Sequence, residues 1–504
     1  MVNRKLYIIL LIVVLLLAGC RKERISNIPK EENEGNNLDT LKEIKDGEVK
    51  DLNEYIIEVD VDTENMSYIG KQRLSYTNNT GIDIKEIYFH LYPNAFKTLG
   101  KAPILFNKGE NMDSENYVPG YIDINKVMVN GKDLKWNVEK ETILHINLEE
   151  PLKNNHDLDI HLEYQVKIPT TKDRFGYHDK GINCGNWYPI VCVYDEKGWN
   201  LEPYYKVGDP FYSEVSNYKV SITTPKDFVV AASGKIVSQE EKDDKKTYHI
   251  VGKEIRDFAW AASKDFVVKE RKTEGTTIKL YSISDNPDII NESLDMGEKS
   301  IKIFSKIFGK YPYEEYSIVN TEFPSGMEYP TIIFISNDYF QKKFVHILER
   351  IIVHETAHQW WYGIVGNDQV KEAWLDEGLT TYSEVIYMKE AYGEKTANKY
   401  YDEGIRQGYE YMVQYLGKDQ IVNKPLKEFS GWDDYSLLVY TRGAMFIHKI
   451  KEEFGERVLY EILRAYYDRY KFNVATTEDF IKICEEITST SFEPLVKEYL
   501  YGNR

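Results

Sequence analysis

Val353-His354-Glu355-Thr356-Ala357-His358-Gln359 closes a stretch, from Ile347 to Tyr362, whose apolar residues recur at three-four spacing. That period predicts a helix. On a helix, positions i and i+4 share one face, so both imidazoles can reach a single metal ion. Glu355 is rotated about 100° from His354 and points toward an open coordination position. From there it can take a proton from a water whose acidity a zinc ion has raised. A catalytic zinc site needs three protein donors. Trp374-Leu375-Asp376-Glu377-Gly378 offers the third in Glu377, eighteen residues beyond His358. The cluster Gly363, Gly366-Asn367-Asp368 allows one helix to end and a second, Glu377 to Ala391, to return. Glu384 lies two turns further along the face of Glu377, where it can accept a hydrogen bond from a ligand histidine and fix its tautomer.

Working outward, residues after about 266 carry long helical patterns, including Gly443 to Phe454. Residues 51–265 read instead as short strands. Tyr55, Ile57, Val59 and Val61 alternate with polar partners, as do Ile143 to Leu148 and Tyr218 to Ile222. Turn signals such as Asn130-Gly131 separate them. The fold class is therefore multidomain, an all-β domain over 51–265 followed by a helix-rich metal-binding domain over 266–504. The chain of 504 residues is long enough for two such cores.

The net charge of −18 argues against nucleic acid as a partner, because phosphate binding needs a basic surface. Four cysteines are too few for a disulfide framework. A Cys184–Cys192 bridge stays open. Cys20 has a separate explanation. Arg4 and Lys5 precede an apolar run from Leu6 to Ala18, too short to span a bilayer. It ends in Leu17-Ala18-Gly19-Cys20, which resembles a bacterial lipobox. Residues 1–20 are expected to be a lipoprotein signal peptide, with Cys20 the acylated residue. Residues 21–50 have no aromatic residue and are dense in Lys, Glu, Asp and Asn, the composition of a flexible tether. The expected location is the extracytoplasmic face of a cell membrane.

The metal motif, with its returning glutamate and Trp-Leu-Asp-Glu-Gly context, resembles that of the aminopeptidase N family of zinc peptidases, the gluzincins. Upstream, Ser325-Gly326-Met327-Glu328-Tyr329 is similar to the family's Gly-Ala-Met-Glu-Asn, with serine and tyrosine as departures. The resemblance implies one zinc ion held by His354, His358 and Glu377, with Glu355 as general base. It implies that Gly326, Met327 and Glu328 bind substrate, Glu328 through the free amino group of a peptide. Val439-Tyr440-Thr441-Arg442-Gly443 is similar to a third motif, in which Tyr440 would stabilise an oxyanion; Tyr435 is the alternative. It also implies a saddle-shaped β domain, a thermolysin-like α+β domain, and no large helical C-terminal domain of the kind longer members carry. A non-catalytic scaffold and an endopeptidase are the rival readings.

Overall fold

The computed structural model describes residues 52–103, 116–416 and 421–502. The signal segment, Cys20 and the tether lie outside them. Among the described residues no helix is long and apolar enough to cross a membrane.

The N-terminal part is built from sheets. Strands Asn53–Asp62 and Ser67–Thr77 form the centre of an eight-stranded sheet in which Asn53–Asp62 pairs in parallel with Ser216–Pro225. Their buried residues alternate, as Tyr55, Ile57, Val59 and Val61 do, so one face is solvated and the other packed. Two four-stranded sheets cover that packed side, one around Gly181–Cys184 and Trp260–Ser263, the other around Ile84–His90 and Ile143–Leu152. Cys184 and Cys192 are both buried as free thiols, so the structure contains no bridge between them.

After Ser263 the architecture changes. Strands Val267–Thr273, Thr276–Ser282, Glu315–Thr321, Ile332–Ser336 and Gly326–Met327 form a mixed five-stranded sheet in that spatial order. Thr276–Ser282 and Glu315–Thr321 are parallel, which requires a crossover; helix Pro287–Ile307 supplies it. That helix begins with Pro287 at its first position, and the Asn286 side chain accepts from the Asp288 amide. The helices Val345–Ala357 (the histidine helix), Trp374–Tyr392 (the glutamate helix) and Gly443–Phe454 follow. This is an all-β domain joined to an α+β domain.

The histidine helix is shorter than its apolar period predicts. It stops at Ala357, and Tyr362, expected within it, has φ 121°. What holds the backbone in this disfavoured conformation comes from the other domain. Arg256, 1% exposed, donates from Nε to the Tyr362 carbonyl at 2.8 Å, from one terminal nitrogen to Ser213 O at 2.7 Å, and from the other to Asn473 O at 2.9 Å. Gly366 lies flat on this guanidinium; a Cβ there would sit 2.2 Å from Cζ.

The edge strand Gly326–Met327 belongs to the five-stranded sheet, yet Met327, Tyr329 and Phe334 pack into the apolar core of the β domain. The core around the three helices is separate. The seam between the domains therefore runs beside the residues of the expected site.

Replacing Arg256 by methionine should leave the buried Tyr362 and Ser213 carbonyls without this donor, each costing about 1–3 kcal/mol. A loss of about 3–5 kcal/mol in unfolding free energy is expected, measured by urea denaturation. Wild-type stability in Arg256→Met would show that the latch carries no weight.

Candidate metal centre

His354 lies in the last turn of the histidine helix and His358 caps it. Because the chain turns there, the Trp361 carbonyl comes back to 3.1 Å from His358 Nδ1. A carbonyl only accepts, so Nδ1 carries the proton and Nε2 its lone pair. Glu384 Oε1 is 2.7 Å from His354 Nδ1 and imposes the same tautomer. The Tyr400 hydroxyl donates to the other Glu384 oxygen, and Arg350 Nε is 3.7 Å away.

Both Nε2 atoms then face a common point. They are 3.3 Å apart, and Glu377 Oε2 is 3.2 Å from each. Three acceptors this close repel one another unless a cation lies between them. A tetrahedral zinc site with bonds of about 2.0–2.1 Å has ligand–ligand edges of about 3.3 Å. The donor set and its spacing fit that ion. Electrostatics agree. Burial opposes charge on His354, but Glu377 and Glu384 hold its pKa up at about 9. Burial also opposes charge on Glu377, and the two histidines hold its carboxyl down at about 2. The cluster draws in positive charge.

Glu355 is 6% exposed, and burial pushes its carboxyl up to about 7. It reaches the site beside Gly326, where a Cβ would lie 2.0 Å from Glu355 Oε1. Only glycine leaves that room. Gly326 and Met327 pair antiparallel with Ile335 and Phe334 and form the sheet's edge. Glu328 follows them, 4% exposed, and its Oε1 has no hydrogen-bond partner. Burial, then repulsion from Asp209, raise its pKa well above the usual carboxylate range. Glu328, Glu355 and His358 each place a donor atom within 4.8 Å of the others. The Tyr440 hydroxyl donates to Glu377 Oε1 at 2.5 Å, and its ring stacks on His354. Tyr435 packs edge-on against Tyr440, and its hydroxyl sits under Gly208.

Two residues not singled out in the sequence also reach the site. Asp209, from the β domain, has a carboxylate oxygen within 4.8 Å of those of Glu328 and Glu377. Arg174 pairs with Asp209 and donates from Nε to Met327 Sδ at 3.0 Å. Neither lies in a periodic pattern or motif; Gly208-Asp209-Pro210 reads only as a turn.

Tyr329, which stands where asparagine was expected, is fully buried. Its hydroxyl donates to Asn186 Oδ1 at 3.0 Å, and Asn186 donates to Asp257 at 2.8 Å. The ring lies over Gly185, where a Cβ would meet the hydroxyl oxygen at 1.7 Å. The departure from the familiar motif is thus matched by a space that a glycine vacates.

Comparison with known proteins agrees with this geometry. Residues 292–499 match the peptidase family M1 domain. Human aminopeptidase RNPEPL1 is 28% identical over 210 residues, 40% of this chain and 28% of that protein. Rat aminopeptidase B is 27% identical over 209 residues, 38% and 30% of the two chains. The matches thus span less than a third of the length of these relatives. The M1 zinc metallopeptidase of Deinococcus radiodurans has the same fold, with a TM-score of 0.64 at 16% identity over 90% of this chain and 94% of that one. The donor triangle, the returning glutamate and the domain match fall in register, and residues 292–499 match the peptidase family M1 domain.

Proposed function

We propose that this protein is a zinc-dependent aminopeptidase that removes N-terminal residues from peptides at the outer face of a bacterial membrane. The observation that carries the reading is Glu328. A buried carboxylate oxygen without a partner is costly unless a cation arrives. Three of the other carboxylates already have one: Asp209 faces Arg174, Glu384 faces Arg350 and His354, and Glu377 faces the two histidines. A peptide's free ammonium group fits the remaining demand. A relative with this fold, the Deinococcus enzyme, has been solved bound to a Tyr-Ser-Ala substrate.

His354, His358 and Glu377 would hold a zinc ion, which would supply Lewis-acid polarisation of a carbonyl and a more acidic water. Glu355 removes that water's proton and passes it to the leaving amine. Tyr440 donates its hydroxyl hydrogen bond to the oxyanion as the carbonyl becomes tetrahedral. Glu328 holds the ammonium and so restricts attack to the first peptide bond. The edge strand Gly326–Met327 presents backbone groups that an extended peptide can pair with. For the location, the support is Leu17-Ala18-Gly19-Cys20 after its apolar run, with Cys20 the lipid-bearing residue.

Metal analysis should find one zinc per chain, absent in His358→Ala. Glu384→Gln should bind zinc about 10–100-fold more weakly in a chelator competition. Full zinc occupancy in His358→Ala would sink the ligand assignment.

Glu355→Gln and Tyr440→Phe should both retain zinc. The first should abolish turnover. The second should lower kcat by about 10²–10³-fold, since its bond forms in the transition state. Glu328→Ala should raise KM, losing the tenfold to hundredfold selectivity for free over N-acetylated peptides that an ionic hydrogen bond of about 1.5–3 kcal/mol provides. Wild-type protein that cleaves acetylated peptides internally as fast as free ones is an endopeptidase, and the present reading fails.

Membrane fractionation and intact mass test the anchor. Cys20 should be the first residue of the mature chain and carry lipid, and Cys20→Ser should abolish the acylation. An unmodified Cys20 in the mature protein would refute the anchor.

A further inference from the structure

The helices that deliver Glu377 and Tyr440 touch through glycine on both sides. Gly378 directly follows Glu377 in the glutamate helix. Gly443 opens the helix Gly443–Phe454, three residues after Tyr440. Both are buried. A Cβ on either one would lie 3.0 Å from the Cα of the other. Non-bonded carbons settle at about 3.5–4.0 Å, so a methyl group here would press the two backbones apart by a few tenths of an ångström.

Tyr440 itself lies in a wider coil. Ser436–Arg442 is π-helical, and such a segment holds one residue more than an α-turn in the same space. The extra residue turns the side chains that precede it by about 100° relative to a continuous α-helix. From that coil the Tyr440 hydroxyl reaches Glu377 Oε1 at 2.5 Å, and its ring lies 5.8 Å from the His354 ring at an angle of 12°. The carboxylate and the imidazole hold Tyr440 from the front. The glycine contact determines how near its backbone can come from behind.

We infer that Gly378 and Gly443 are positioning residues for peptide hydrolysis, acting through Tyr440 by setting its distance from the metal donors. This rests on the reading of Tyr440 as the oxyanion donor. Glu377 is one residue from the contact and Tyr440 three, so a shift at the glycines reaches the hydroxyl with little chance to relax. Glu328 follows a strand on the other sheet edge and is not carried by either helix, so ammonium binding is spared. Packing distinguishes these two from Gly404 and Gly408. Gly404 and Gly408 have nothing within 4 Å of a built Cβ, and alanine there would be the better helix former.

The test is a double-mutant cycle on the zinc-loaded protein with an aminoacyl chromogenic substrate, with zinc content and circular dichroism measured in parallel. Gly443→Ala should lower kcat about tenfold or more with KM changed by less than about twofold, and with zinc and fold retained. In a Tyr440→Phe background the same substitution should cost nothing further. Gly408→Ala should leave kcat unchanged. Should Gly443→Ala fail to fold, Gly378→Ala presses the same contact from the opposite helix and must show the same non-additivity. An unchanged kcat in Gly443→Ala, or an equal loss in both backgrounds, overturns the inference while leaving the aminopeptidase reading intact. An unchanged kcat in Tyr440→Phe instead refutes the oxyanion role, and with it the route through which the glycines act.

Discussion

Burying carboxylates is expensive, and this protein buries Asp209, Glu328, Glu355, Glu377 and Glu384 around one point. Every other feature of the site answers to that constraint. Arg174 and Arg350 are brought in as counter-charges, one from the β domain and one from the histidine helix. The two imidazoles are fixed with their lone pairs inward, which only a cation at the centre makes favourable. Neutralisation stops short at Glu328 and Glu355, neither of which has an ion pair among the described residues, and on the proposed reading the shortfall at Glu328 is what a charged guest would make good. A cavity of the same shape lined with amides would hold a metal less well.

The close approaches are made by glycine, and each serves a different neighbour. Gly326 makes room for the Glu355 carboxyl, Gly366 for the guanidinium of Arg256, and Gly378 and Gly443 for one another. The chain thereby brings backbone and functional groups nearer than side chains would permit. Tyr362 is the counterpart, a bulky residue kept at positive φ by a hydrogen bond from another domain. The turn it makes is the one that returns the Trp361 carbonyl to His358. Strain of this kind persists only where surroundings over-determine it, and here three donors from one arginine do so.

Much of this was legible in the residues, for reasons that differ by scale. The change from two-residue to three-four apolar periods marks the passage from sheets to helices, because those periods record which face is buried. The i, i+4 histidines are a local spacing on one helix, and the glutamate that returns after eighteen residues needs only a turn between two helices. What could not be read was contact between distant segments. Nothing near Asp209 or Arg174 announces that a β-domain loop enters the pocket, since the information lies in how two cores meet. The end of the histidine helix was misplaced for the same reason. The apolar period runs on through Trp360 and Trp361, both buried, and the break is imposed by Arg256, about a hundred residues upstream.

The division of the site between two apolar cores decides what opening between them would change. The edge strand before Glu328 is packed into the β domain's core, while the metal donors stand on helices with a core of their own. Opening along the seam costs less than melting either core, because fewer buried contacts are lost. A molecule that has opened there would keep its helices and the donor triangle, and Glu328 would stay with the five-stranded sheet, while Asp209 and Arg174 left the pocket with the β domain. Such a protein would keep its secondary structure and yet have a different field around Glu328, which Asp209 repels in the closed molecule. What the docking of the two halves adds to the pocket is therefore its charge balance rather than its set of donors.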